Sequence, residues 1–225
     1  ADAECNSTIA DSSAGGPLSV RVADALPYRH WSSWLEGRVQ HLLLVDTVSG
    51  EVVRDLTPGR WDSPPRSASG AAAAFSPDGR RLVFVSNHDP EPARSTNADL
   101  WLVELDLESP PRPPRNLTAG NPGFDGDPAF SPDGRLVAFR SQATPGYESD
   151  LTRLAVLDLA SGAVRYLTDR DRFDDWVSGH RWLPGGERLV FEAERRGRQP
   201  LFHVDLASGV IDERHIATQA TRTQG

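Results

Sequence analysis

The sequence predicts an all-β fold, a β-propeller fragment of about three and a half four-stranded antiparallel blades in an open arc. Two observations predict it. A strand–turn–strand motif, Phe75-Ser76-Pro77-Asp78-Gly79 followed by Leu82-Val83-Phe84-Val85, recurs as Phe130-Ser131-Pro132-Asp133-Gly134 before Leu136-Val137-Ala138-Phe139. It returns in altered form as Trp182-Leu183-Pro184-Gly185-Gly186 before Leu189-Val190-Phe191. The spacing, about 50 residues, leaves room for four short strands each time. The later half of the unit repeats too. Val45-Asp46, Leu105-Asp106, Leu157-Asp158 and Val204-Asp205 each end a strand, Ser49-Gly50, Ser161-Gly162 and Ser208-Gly209 supply turns, and Leu56-Thr57, Leu117-Thr118 and Leu167-Thr168 close three units.

The elements follow in order. Residues 1–20 are small and polar and form a flexible N-terminal segment. The partial propeller covers 21–217, with blades at about 21–63, 71–118, 126–168 and 178–217, and 218–225 is a polar tail. The first unit crowds Arg29, His30, Trp31, Trp34 and Arg38 ahead of the strands His41–Asp46 and Glu51–Leu56. It has no SPDG half, so the chain enters midway through a blade. In each SPDG turn Pro fixes φ and Gly accepts φ > 0. The flanking runs are rich in β-branched and aromatic residues, which suit a pleated surface. The PPRPP run Pro110–Pro114 is a stiff turn, too short to separate domains. An open arc exposes edge strands and apolar blade faces. Missing propeller blades are therefore expected partners, and the isolated chain is expected to self-associate.

Composition narrows the function. A net charge of −8 argues against nucleic acid, and no apolar run approaches the ~18 residues of a membrane span. All 24 basic residues are arginine, a coding bias. Met is absent, even at position 1, which predicts an internal piece or a processed product, and no signal peptide opens the sequence. The single Cys5 forms no internal disulfide. No G-x-S-x-G nucleophile elbow, no strand–helix alternation, no HExxH and no Cys/His metal spacing occurs. No catalytic residue, metal site or cofactor is expected in this chain. Asp89, Glu91 and Asp99 offer oxygens but lack a calcium-loop spacing.

In a four-stranded blade the SPDG and Ser-Gly turns share one rim. The longer loops 21–40, 87–98, 120–126, 142–150 and 169–180 share the other, where function on a rigid scaffold concentrates. On that rim Tyr147, Glu148 and Asp150 are candidates to hold an ammonium group; the competing reading is solvated acids beside Arg153. Asp174 and Asp175 beside Trp176 form a second acidic–aromatic pair. Arg29, Trp31 and Trp34 form either a substrate-facing patch or inter-blade packing with Arg stacked on Trp.

Three longer segments carry a resemblance. Tyr28–Arg38 (YRHWSSWLEGR), Leu117–Asp125 (LTAGNPGFD) and Ala143–Asp150 (ATPGYESD), together with the SPDG repeats, resemble the TolB-like propeller of the prolyl oligopeptidase (S9) family of serine peptidases, and within it bacterial dipeptidyl-peptidase 5-like enzymes. Ser32 and Ser149 stand where that pattern has Asp and Ala. The resemblance implies a propeller that caps an α/β-hydrolase domain elsewhere in a parent chain, restricts entry to short peptides, and holds the substrate's free amine. The parent would be a dipeptidyl- or acylaminoacyl-peptidase, periplasmic or secreted rather than cytoplasmic, and this chain would be its non-catalytic part. The alternative is a stand-alone TolB- or WD40-like propeller that binds a protein partner.

Overall fold

A computed structural model describes residues 29–30, 32–35, 37–66 and 70–214, with the single positions 23 and 26. The N-terminal segment 1–20, Trp31 and the tail 218–225 lie outside the described residues. The fold begins with its turns. In Ser76–Gly79 the Ser76 hydroxyl donates to Asp78 Oδ1 at 2.5 Å, which also accepts the Arg80 N–H at 3.1 Å, while Ser76 Oγ accepts the Arg81 N–H at 2.9 Å. Ser131 and Asp133 repeat the pattern at 2.6, 3.0 and 2.9 Å. Gly79 and Gly134 take φ of 68° and 70°, a conformation open to glycine at little cost. Short side chains thus satisfy the backbone locally and reverse the chain.

Each such turn opens an antiparallel sheet. A short hairpin, β1 (Arg29–His30) with β2 (Ser33–Trp34), precedes a two-stranded sheet of β3 (Leu43–Val45) and β4 (Val52–Asp55). Three four-stranded sheets follow in sequential order. The first is β5 (Ala73–Phe75), β6 (Arg81–Ser86), β7 (Asp99–Glu104) and β8 (Arg115–Asn116). The second is β9 (Asp125–Phe130), β10 (Leu136–Ser141), β11 (Arg153–Asp158) and β12 (Val164–Tyr166), and the third is β13 (Val177–Trp182), β14 (Arg188–Ala193), β15 (Leu201–Asp205) and β16 (Ile211–Arg214). The first strands of successive sheets lie against one another, β5 on β9 and β9 on β13, whereas the last strands do not meet, so the sheets fan outward from an axis. Among the described residues the first and last sheets make no contact, and the arc is open.

The core sits between the sheets. In the central blade alternate residues point to opposite neighbours, as strand geometry requires. Val137 and Phe139 of β10, with Ala155 and Leu157 of β11, pack towards Val83, Val85, Leu100 and Leu102. Ala138, Leu154 and Val156 pack instead towards Leu189, Phe191, Phe202 and Val204. Burial on both faces explains why these strands are continuous apolar runs rather than alternating ones. Arginines then tie blade to blade: Arg54 donates to the Asp106 carbonyl at 2.7 Å, Arg81 to Gly134 at 3.0 Å and Arg165 to Leu206 at 2.6 Å. The first two-stranded sheet covers only one face. Leu43, Val45, Val52 and Val53 remain between 44% and 58% exposed.

Candidate functional site

The two rims use their acids differently. On the turn rim Asp46, Asp158 and Asp205 each accept two backbone N–H groups of the turn that follows. Those bonds hold all three carboxyls below the ordinary range. They organise turns.

The opposite rim carries loop 142–151. Gln142 Nε2 donates to the carbonyls of Glu148 at 3.1 Å and Asp150 at 2.8 Å. Asp150 is buried; its Oδ2 accepts the N–H groups of Ala143 and Thr144 at 2.9 and 2.8 Å, and its Oδ1 that of Leu151 at 2.9 Å. Desolvation pushes this carboxyl up, but the N–H groups of Thr144 and Ala143, with further donors, outweigh it and lower it. The neighbouring blade braces the tip through Thr96, whose hydroxyl accepts the Gly146 N–H at 2.8 Å. Asp150 is thereby committed to the loop. Tyr147, 52% exposed, and the exposed Glu148 stand on its tip. Glu148's carboxylate has no hydrogen bond or ion pair among the described residues; Arg153 lies over the Tyr166 ring at 3.9 Å and donates to Ser141 Oγ at 3.2 Å. Behind the loop lies a hollow of about 610 Å³ lined by Asp150, Arg153, Arg165, Tyr166, Arg170 and Arg172, among others.

The remaining candidates stand apart. Asp174 is exposed, whereas Asp175 pairs with Arg195, whose guanidinium covers Phe173 and Phe202 at 4.9 Å from each ring. Asp175 therefore closes the edge of a core. Arg29 and Trp34 face each other across the exposed β1–β2 hairpin, which touches no other described strand.

Sequence reasoning passed over two buried polar clusters. Asn121 Nδ2 donates to Asp125 Oδ1 and the Gln142 carbonyl, both at 2.9 Å, and Gly123 fits there because a Cβ would lie 2.3 Å from that carbonyl oxygen. Asp125 Oδ2 is buried with no hydrogen-bond partner among the described residues, and desolvation pushes the carboxyl up to about 7. Nearby Asp99, held by Asn116 and Thr118, is also raised by burial. Nearer the axis, Asp127 sits at a β-bulge with φ of 57°, pairs with Arg140 at 3.2 Å and approaches His180 at 3.5 Å. His180's side chain is 1% exposed, and burial lowers its pKa. The LTAGNPGFD segment was visible in sequence, but its role as a buried carboxyl cradle was not. Among the described residues no three His, Cys, Asp or Glu side chains are placed to hold a metal; Asp89 instead accepts from Asn97 at 3.1 Å.

No protein-family model matches the chain. It is 31% identical over 197 residues to dipeptidyl-peptidase 5 of Porphyromonas gingivalis, an alignment covering 85% of this chain and 28% of that protein. It is 28% identical over 214 residues to dipeptidyl-peptidase 5 of Schizosaccharomyces pombe, covering 89% of this chain and 30% of that protein. The chain thus spans under a third of the length of these curated relatives. Among solved structures, TolB from Acinetobacter baumannii superposes with a TM-score of 0.54 at 21% identity, over 77% of this chain and 37% of that one, and it shares the propeller fold.

Proposed function

Because this chain is dipeptidyl-peptidase 5-like and of propeller type, we propose that it forms the non-catalytic, substrate-gating part of a dipeptidyl- or acylaminoacyl-peptidase and holds the free N-terminus of the peptide. The peptide and an α/β-hydrolase domain of the parent are its partners. One observation carries the reading: loop 142–151 is fixed by Gln142, Asp150 and Thr96, yet it presents the Glu148 carboxylate with no partner among the described residues. An ammonium group needs a carboxylate at about 3 Å, and a pre-ordered loop lowers the entropic cost of supplying one.

The test uses the chain itself and two tripeptide amides of the same sequence, one with a free amine and one N-acetylated. Titration calorimetry should show the free amine bound about tenfold more tightly, the value of one charge-assisted contact, and Glu148→Gln should erase that preference. Equal binding of both peptides to the parent chain removes the proposal. A stand-alone interaction propeller is the second reading, favoured by the exposed apolar face of the first sheet. It expects no discrimination between the peptides.

A further inference from the structure

We infer that the hollow behind loop 142–151 is a carboxylate site, taking an acidic side chain or the C-terminal carboxylate of a peptide. The inference rests on the peptide-binding reading for its ligand class and makes no use of Glu148.

The hollow's charges decide what it can take. Its four arginines, Arg153, Arg165, Arg170 and Arg172, face three acids, Asp150, Asp169 and Asp171. The local surplus is one positive charge, 4 − 3 = +1, in a chain of net charge −8. Most of these groups are already committed. Asp150 accepts three backbone N–H groups. Asp169 binds Arg172 through Nε at 2.9 Å and Nη2 at 2.7 Å and also accepts two backbone N–H groups. Arg165 donates to the Leu206 carbonyl. Two guanidiniums and one exposed acid, Asp171, are left. Arg153 is oriented by the Tyr166 face and Ser141, and Arg170, 76% exposed, comes no closer to a carboxylate than 3.7 Å, beyond hydrogen-bond distance.

Two forks with donors to spare suit a planar, two-oxygen acceptor. An ammonium ligand would find Asp150 and Asp169 occupied and only the exposed Asp171 to meet it, against two guanidiniums. Leu151 and Val164 add apolar wall for a short alkyl stem, and about 610 Å³ is room for one or two residues rather than a folded partner.

The experiment titrates the full 225-residue chain with N-acetyl-Ala-Glu-Ala-amide and N-acetyl-Ala-Gln-Ala-amide, followed by nuclear magnetic resonance shifts. Acetylation removes the free amine, so this test and that of Glu148 fail independently. The Glu peptide should bind about tenfold more tightly at low salt, and the gap should narrow at high salt. Arg170→Gln and Arg153→Lys should each cut the preference to about threefold or less. N-acetyl-Ala-Ala-Gln with a free carboxyl, set against its amide, distinguishes a C-terminal from a side-chain carboxylate. Equal binding of the Glu and Gln peptides, failure of both to bind, or a preference that survives Arg170→Gln would overturn the site. Displacement of the Glu peptide by inorganic phosphate at lower concentration than by acetate would overturn its carboxylate character. Arg170 is exposed, so its variant folds and decides the matter if Arg153→Lys does not fold.

Discussion

Asp125 and Asp150 occupy the same rim of the same blade and both are shielded from solvent, at 1% and 4% exposure, but Asp125 lies deep between blades and Asp150 under a surface loop. Their carboxyls nevertheless move in opposite directions. Asp125 receives a donor on one oxygen, leaves the other bare and is pushed up to about 7, whereas Asp150 collects three backbone N–H groups and is lowered. Depth of burial and the donors that survive it fix ionisation together. The difference also bears on function. A carboxyl buried out of reach and a carboxylate whose lone pairs are occupied are both poor anchors for an incoming ammonium. On the proposed reading the rim's binding falls to groups with exposed, unspent valence, Glu148 among the acids and Arg170 among the arginines.

The largest expected effect breaks the comparison on the Asp125 side. Its folded pKa of about 7 exceeds the unfolded value near 3.9. Between those pH values the folded chain keeps a proton that the unfolded chain has lost, so stability falls as pH rises from about 4 to about 7. Asp125→Asn keeps the shape and has no proton to lose. Relative to the parent it should be unchanged near pH 4 and more stable by up to about 4 kcal/mol near pH 8, from about 1.36 kcal/mol per unit. Denaturant midpoints of both proteins at the two pH values check this. Parallel pH profiles would show that Asp125 ionises freely.

Asp150 should respond the other way. Asp150→Ala leaves three loop N–H groups without their acceptor, at about 1–3 kcal/mol for each that stays buried. A net loss of about 3 kcal/mol at pH 7 is expected, with faster hydrogen exchange at Ala143, Thr144 and Leu151. Because its pKa is lowered, its stabilisation is present above the unfolded value and disappears as pH falls through the folded one. The variant should therefore approach the parent in acid from the less stable side, whereas Asp125→Asn departs from it towards greater stability as pH rises. An undiminished difference at low pH would show that the loop is held by something other than the ionised carboxylate.

Sequence and structure agree where the determining contacts are local. The Ser-Pro-Asp-Gly turns and the strand-ending aspartates form hydrogen bonds within five residues, so their pattern announces the fold. The two-sided apolar strands of the central blade were equally legible, because burial on both faces leaves a continuous run. The fate of individual acids was not. Asp174 and Asp175 are indistinguishable in sequence, yet one is exposed and the other meets Arg195, twenty residues on in a different loop. Asp125 depends on Asn121 and on how tightly the chain at Gly123 approaches Gln142, which follows from blade packing rather than from any periodicity. Glu148 could be singled out as a loop acid, but the placement of Arg153 over Tyr166 could not.

The smallest expected effect sharpens the comparison. Arg170 approaches Asp150 Oδ1 at 3.7 Å, and an ion pair could be credited with holding that carboxyl ionised. The backbone donors account for it instead, since the Arg170 side chain is 76% exposed and water and salt screen it. Arg170→Gln should then shift stability by less than about 0.5 kcal/mol and leave the acid response of Asp150 in place. A loss above about 1 kcal/mol that disappears in high salt would make Arg170 part of the loop's own support. It would then have no charge to spare for a peptide carboxylate. Stability indifferent to Arg170, beside peptide affinity that depends on it, is the combination that separates a ligand-facing cation from a structural one on this rim.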